Sequence, residues 1–402
     1  MKSQKIIIVG MGYVGFPLAC LLGSIGHTVF GVDVNKDKVD KINKGLVPFD
    51  YRESGLLKLF KKSKLKASDN FSVCQKAKTI IVAVETPVSA VTNKPEYIAL
   101  KSALKSVGEN LSNGALVIVE STIAPGTTEN IIVPILESTS NKKAGKDFFV
   151  AHCPERISPT ETLYKLVNMP RVIGGYTKEA GKMTASLYKT FVKADIDVID
   201  AKTAEVVKTA GNAYRDVQIA FANELESISR LYGVDFRKVR ELINKEPERH
   251  VHQAGPGVGG HCIPKDSWLL LVGVSEKNGE LIRTARRINQ NRPKEMFERL
   301  LNLLKVHELL PTKAKIAVLG VAYLPETDDI RNSPTLEFMK LLKMNKLSFK
   351  PHDPFIKDYQ SDLNKIIEWA DVVVIMIGHK AYRQILKQKL KNKIILDPRN
   401  IL

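Results

Sequence analysis

Continuous apolar runs, each closed by a glycine or a polar turn, punctuate the first half of the chain. Lys5 to Gly10 (KIIIVG), Thr28 to Asp33 (TVFGVD), Thr79 to Val84 (TIIVAV), Ala115 to Glu120 (ALVIVE) and Phe148 to Ala151 (FFVA) lack polar alternation, as expected of strands covered on both faces. The stretches between them, beginning with Phe16 to Gly26, are long enough for crossover helices. This alternation predicts a parallel sheet with right-handed crossovers. From Thr203 to Tyr232 the period changes. Val206, Val207, Ala210, Ala213, Val217, Phe221, Leu225, Ile228 and Leu231 recur every three or four positions, with no proline and with Gly211 the only glycine in the helical run. One helix of about 30 residues follows, near 45 Å at ~1.5 Å per residue. A helix of that length usually links domains or packs against a partner chain. After Pro311 the strand signal returns in Lys315 to Gly320, Ser348 to His352, Asp371 to Ile377 and Lys393 to Asp397, as a second, smaller α/β unit. The two units share a strand ending in glycine, so an internal duplication stays open.

Length and composition narrow the classes. With 402 residues, two or three domains are expected, and 44% hydrophobic against 26% charged residues excludes wholesale disorder. No run is long and apolar enough for a membrane-spanning helix. The segment Met1 to Gly10 enters a strand directly, without the pattern of a secretory signal, so the expected compartment is the cytoplasm. Lys plus Arg is 61 against 43 Asp plus Glu, a formal +18. Those cations are spread along the chain and are not interleaved with aromatics, which argues against nucleic acid and for small anionic ligands. The cysteines, Cys20, Cys74, Cys153 and Cys262, include no C-x-x-C pair, so neither a metal site nor a redox pair is expected.

Gly10-Met-Gly12-Tyr13-Val14-Gly15 fits G-x-G-x-x-G between a strand and a helix. The first glycine permits a tight turn, the second a close backbone approach to a pyrophosphate, and the third helix–strand packing. Unpaired N–H groups of the helix N-terminus then face the phosphates. Asp33 ends the second strand, where an acid bonds the ribose hydroxyls and repels a 2′-phosphate, favouring NAD over NADP. Lys38 lies nearby, more in the manner of a solvated residue. The expected fold class is α/β: two Rossmann-like parallel-sheet domains joined by a central helical region with one long helix.

A second constellation is Gly255-Pro-Gly-Val-Gly-Gly-His-Cys262-Ile-Pro-Lys-Asp266, with four glycines in the seven residues before the thiol. Such a loop presents a sulfur at a crevice, and Lys265 and His261 would favour its thiolate. A glycine-rich turn around an inert thiol fits the composition equally well. Cys20 reads as filler inside an apolar helix and Cys74 as filler in a polar loop or helix end. Beside Cys153, Glu155 is the more interesting group. Lys208 and Asn212, four apart, share one helix face.

The fingerprint, Ala83-Val-Glu-Thr86-Pro87, Glu120-Ser-Thr122-Ile-Ala-Pro-Gly126, Cys153-Pro-Glu155-Arg156, Lys208-x-x-x-Asn212, Gly255 to Asp266 and Thr327-Asp-Asp-Ile-Arg331 occur in this order. Together they resemble the UDP-glucose/GDP-mannose dehydrogenase family from residue 5 to the C-terminus. The resemblance implies an NAD-binding domain over 1–200, a central helical dimerisation region with the cysteine loop over 201–305, and a UDP-sugar-binding domain over 306–402. It implies a homodimer through the long helix, a cofactor, NAD, and a place in polysaccharide biosynthesis. The implied reaction is a four-electron oxidation of a sugar C6 alcohol to the carboxylate. Cys262 would capture the aldehyde as a thiohemiacetal, which the second hydride transfer turns into a thioester for water to hydrolyse. By the same resemblance Lys208 and Asn212 stabilise the C6 oxyanion and Asp266 helps Lys208 place water. Glu155 is the general base, and Thr122 orients water or cofactor. NAD contacts are implied for Gly10, Gly12, Tyr13, Val14, Gly15, Asp33, Lys38, Thr86, Pro87, Thr122 and Arg331. Sugar contacts are implied for Glu155, Arg156, Lys208, Asn212, Arg249, His252 and Gly259.

The sugar is less plainly written. Cys153-Pro-Glu-Arg-Ile157, Asn212-Ala-Tyr-Arg-Asp216 and His252 to Cys262 are similar to the branch acting on UDP-N-acetylmannosamine, whereas Pro264-Lys265-Asp266 is closer to UDP-glucose enzymes. A UDP-N-acetylhexosamine is favoured, UDP-ManNAc ahead of UDP-GlcNAc, with UDP-glucose the alternative. Leu324 stands where the family usually has a phosphate-binding lysine. A two-electron dehydrogenase with a structural Cys262, and a non-catalytic nucleotide-sugar-binding protein, are the rival readings.

Overall fold

The computed structural model describes residues 3–49, 54–157, 161–382, 390, 392–399 and 401. Contacts divide the chain into two units, Met1–Ala210 with Trp268–Val272 and Gly211–Ser267 with Gly273–Leu402. The first unit carries β1 (Lys5–Val9), β2 (Thr28–Val32), β3 (Lys66–Ser68), β4 (Thr79–Val82), β5 (Ala115–Val119), β6 (Phe148–His152), β7 (Arg171–Gly175) and β8 (Ile196–Asp200). They lie in the order β3-β2-β1-β4-β5-β6-β7-β8, whose first six positions are those of a dinucleotide-binding sheet. Side-chain alternation along β1 explains why the run is apolar throughout. Ile6 and Ile8 enter one core with Phe16 and Leu18, while Ile7 and Val9 enter the core on the other face with Leu100 and Leu104.

The strand–helix alternation predicts a parallel sheet, and the sheet is parallel except for one pair. β7 runs antiparallel to β6, paired through Ala151 with Gly175 and His152 with Gly174. A strand buried on both faces has the same composition in either direction, so the apolar pattern carries no record of its sense. Three strands also lie outside the sequence reading. β3 spans three residues, β8 exposes much of its alternating Ile-Asp-Val-Ile-Asp, and β7 ends in two glycines. Those glycines are steric necessities: a Cβ on Gly174 would lie 2.6 Å from Ala201 Cα, and one on Gly175 2.4 Å from the Thr177 carbonyl oxygen.

The second unit holds β9 (Lys315–Leu319), β10 (Ser348–His352), β11 (Val372–Ile375) and β12 (Ile394–Leu396), ordered β10-β9-β11-β12 and parallel throughout. Ile316 and Val318 pack under Met296, Leu300 and Leu304 of the helix Glu280–Val306, and Ala317 and Leu319 under Ile366 and Ile367. The two units repeat one turn. Gly10 and Gly320, both at positive φ (+96° and +89°), close the first strand of their sheets. Asp33 accepts the Met11 N–H at 2.8 Å, and Asp353 accepts those of Val321 and Ala322 at 2.8 and 2.9 Å.

The long helical pattern is a single helix, Ala201–Leu231, and the division between the units falls inside it. No helix among the described residues is long and apolar enough to cross a membrane.

Candidate active site

In the first unit the glycine turn leaves space where a phosphate would stand. A Cβ on Gly10 would meet the Ala83 carbonyl oxygen at 2.6 Å and one on Gly15 the Gly10 oxygen at 1.9 Å, whereas nothing lies within 4 Å of a Cβ on Gly12. The helix that follows, Gly15–Ser24, has no side-chain cap at Val14; within its first turn Phe16 N–H is taken by the Gly12 carbonyl at 3.1 Å and Pro17 has no N–H to offer. Tyr13 is half exposed, with its ring 4.4 Å from Phe49. Asp33 is buried and accepts from Met11 N at 2.8 Å and Asn35 N at 2.9 Å. Lys38 is not a wholly solvated residue, since its Nζ stands 3.4 Å from Asp33 Oδ2. These features fit a dinucleotide with free ribose hydroxyls. Beyond the neighbouring strand ends, the Thr86 hydroxyl donates to the Thr122 carbonyl at 2.6 Å, and the half-buried Pro87 offers its carbonyl to Glu96 N–H at 2.8 Å.

Glu155 and Lys208 meet in the same unit. The Lys208 ammonium donates to the Glu155 carbonyl at 2.7 Å and to its carboxylate at 3.3 Å, and Ile157 N–H adds a bond at 2.6 Å. Burial pushes this carboxyl up, but the Lys208 charge and the Ile157 bond outweigh it and hold it below the usual carboxylate range. Arg156 beside it is half-buried. Behind them lie groups the sequence did not single out. Arg171, fully buried, reaches the Pro154 carbonyl at 3.4 Å and lies 5.8 Å from the Tyr188 ring. Tyr188 donates its hydroxyl to Glu120, whose carboxyl burial pushes up. Strand ends followed by buried charge are the signal that marks such residues.

In the second unit Cys262 is not in a loop: it is the first residue of the helix Cys262–Leu270, half-buried. That position sets the sulfur at the positive end of a helix, where an anion is favoured. The other three thiols are buried, each pushed up to about 12 mainly by desolvation. Of the two settings open to it, Cys74 takes the helix end, buried in the short 3₁₀ helix Phe71–Lys76. One turn beyond Cys262, the fully buried Asp266 accepts from Asn212 Nδ2 at 2.6 Å and stands 3.6 Å from the Lys265 ammonium.

Tyr323, absent from the sequence candidates, lies over the glycines. A Cβ on Gly260 (φ +82°) would meet its ring at 2.7 Å, and one on Gly259 its Cβ at 2.5 Å. Burial, the Asp329 charge and Cys262 push its hydroxyl up to about 12. Gly260 is further tied by its N–H to the Arg331 carbonyl at 2.8 Å and by its carbonyl to Asn332 Nδ2 at 2.9 Å. The Arg331 guanidinium itself forks onto Asp329 at 2.6–3.1 Å. Leu324 is exposed. Arg249 is 55% exposed, near Glu246 and Glu248 at 3.6 and 3.8 Å. His252 stands 3.3 Å from Gln218, its pKa lowered by burial and by the His250, Arg215 and Arg240 charges.

Domain profiles of the UDP-glucose/GDP-mannose dehydrogenase family match the chain in order: its NAD binding domain over residues 4–192, its central domain over 202–291 and its UDP binding domain over 317–402. A UDP-N-acetyl-D-mannosamine dehydrogenase of Pyrococcus horikoshii is 39% identical over 408 residues, covering 99% of this chain and 96% of its own. The solved UDP-D-ManNAc dehydrogenase from Pyrococcus horikoshii matches with a TM-score of 0.94 at 38% identity, over 99% of this chain and 96% of the other. An NDP-N-acetyl-D-galactosaminuronic acid dehydrogenase from Methanosarcina mazei matches with 0.88 at 32% identity, over 100% and 92%.

Proposed function

The chain belongs to the UDP-glucose/GDP-mannose dehydrogenase family and is an NAD-dependent oxidoreductase; on that premise we propose that it oxidises the C6 alcohol of a UDP-N-acetylhexosamine to the uronic acid. UDP-ManNAc is the first choice, supported by the names of the relatives above and by the segments Cys153 to Ile157 and Asn212 to Asp216. The single observation that carries the covalent part is Cys262: alone among the four thiols it is partly exposed, and it sits at a helix N-terminus.

The Gly10–Gly15 turn and Asp33 would hold NAD⁺, which would accept a hydride once from the alcohol and once from the thiohemiacetal. Glu155, ionised through the neutral range, takes the alcohol proton as the aldehyde forms. The Cys262 thiolate then adds to the aldehyde carbon, and Lys208 and Asn212 donate to the resulting oxyanion. Loss of hydride from that adduct leaves a thioester. Water cleaves the C–S bond, returning the thiolate, and the sugar leaves as a carboxylate. Asp266 holds the Asn212 amide in one orientation throughout, by accepting its N–H.

Counting NADH released per UDP-ManNAc tests the scheme. The expected ratio is two for the parent protein, with Cys262→Ala unable to reach the uronate. Full four-electron turnover by Cys262→Ala overturns the covalent step, and a ratio of one favours a two-electron dehydrogenase. Running UDP-GlcNAc, UDP-glucose and GDP-mannose beside it identifies the sugar. UDP binding without NADH from any of them would mean that its substrate is another UDP-sugar.

A further inference from the structure

We infer that Asp216 is a positioning residue whose carboxylate fixes both ends of the segment that presents Cys262. The inference rests on the reading of Cys262 as the nucleophile. Asp216 lies on the long helix, fully buried, and so touches no substrate itself. Its first arm is direct: the Ser267 hydroxyl, in the same helix as Cys262 and next to Asp266, donates to Asp216 Oδ2 at 3.2 Å.

Its second arm is a relay. Asn289 Nδ2 donates to Asp216 Oδ1 at 2.7 Å and to its carbonyl at 2.9 Å, which turns the Asn289 oxygen toward Asn223. Asn223 Nδ2 donates to that oxygen at 2.9 Å, and the Asn223 oxygen is thereby turned to accept the Gly255 N–H, also at 2.9 Å. The Gly255 carbonyl is held from the other side by Arg292 Nε at 2.9 Å. A carboxylate only accepts, so it sets the sense of every amide downstream of it. The two arms bracket the glycine-rich segment, one at its start and one in the helix that follows it.

Arg286 completes the assembly, 2.8 Å from Asp216 Oδ1 and itself buried. A buried ion pair is weak as a source of stability compared with apolar side chains of the same volume. What this one provides that an apolar pair could not is direction for the polar groups around it.

Ser267→Ala cuts the direct arm and leaves the ion pair intact, while Asp216→Asn keeps the shape and removes the charge. The readouts are kcat and KM with UDP-ManNAc and NAD⁺, the thermal midpoint, and the rate at which iodoacetamide alkylates Cys262, located by peptide mass spectrometry. Ser267→Ala is expected to lower kcat and the alkylation rate about tenfold with KM for NAD⁺ unchanged, and Asp216→Asn to lower kcat about a hundredfold. Ser267→Thr, which keeps the hydroxyl, restores both rates. A folded Ser267→Ala protein with both rates within about twofold of the parent overturns the inference, even if Asp216→Asn fails to fold. Should Cys262→Ala retain full turnover, the covalent reading falls, and the alkylation comparison still decides the positioning. Should Cys262→Ala be dead and Ser267→Ala unchanged, only the positioning falls.

Discussion

At the residue scale Lys208 governs the charge state of Glu155, and pH reads out that coupling. Its ammonium is the chief group holding the buried Glu155 carboxyl below the ordinary range. A carboxyl with a depressed folded pKa contributes stability above its unfolded pKa, and loses it as pH falls through the folded value. Lys208→Met removes the partner and strands a buried carboxylate, at a cost of about 3–5 kcal/mol near pH 7. As pH falls the variant's carboxyl protonates first and its penalty vanishes, but the parent loses its advantage only on passing through its own depressed pKa, so the two converge below that value and not at pH 7. Urea unfolding at both pH values measures this, and a gap independent of pH would show that Glu155 and Lys208 are not coupled. The acid limb of residual activity should move to higher pH in the same variant, because a base released from its cation protonates sooner.

At the scale of elements, Gly260 shows why a glycine-rich segment stands before the thiol helix. Its φ of +82° disfavours any side chain, and a Cβ would run into the Tyr323 ring at 2.7 Å. Gly260→Ala is expected to cost about 1–3 kcal/mol in denaturant unfolding. Combined with Tyr323→Ala the cost should be less than additive, since the second change removes the clash and leaves only the backbone strain. Strict additivity would mean that ring and glycine are not in contact. Tyr323 also marks the limit of what the chain text discloses. Strands β1, β2, β4, β5 and β6 were legible as unbroken apolar runs because both of their faces are covered. β7 was not, because close backbone approach replaced its side chains with glycine, and β3 is too short to show a period. The glycine turn and Asp33 could be read because their contact spans 22 residues, the interval that one strand–helix–strand unit fixes. The pairs Glu155–Lys208 and Asn212–Asp266 join residues 53 and 54 positions apart, and no spacing rule reaches that far. Their association was implied only by resemblance. Arg286 and Asn289 did leave a trace, as polar residues on the buried face of an otherwise amphipathic helix.

For the whole molecule, the long helix bears on the number of copies that assemble. Of the apolar positions that recur along it, Phe221 and Ile228 are 54% and 43% exposed, and Tyr214, outside that series, is 65% exposed. They recur every seven residues, the spacing of a helix–helix seam, and span about 21 Å at ~1.5 Å per residue. Leu231 and Tyr232 extend the apolar surface, each 81% exposed. Isolated apolar residues on a surface need no explanation, but a row of aromatic and branched side chains along one helix costs solubility unless something covers it. A second copy of the same helix, laid across a twofold axis, would cover it with its own row. The excess of 61 basic over 43 acidic residues does not oppose this, because the stripe itself carries no charge at those three positions. Phe221→Glu puts a carboxylate in the centre of the seam, where pairing would set two like charges face to face without water. Sedimentation at tens of micromolar should find the parent at twice the chain mass of 44.7 kDa and the variant at that mass. A parent that sediments as one chain would leave the stripe without its partner, and the long helix would then serve only to connect the two sheets.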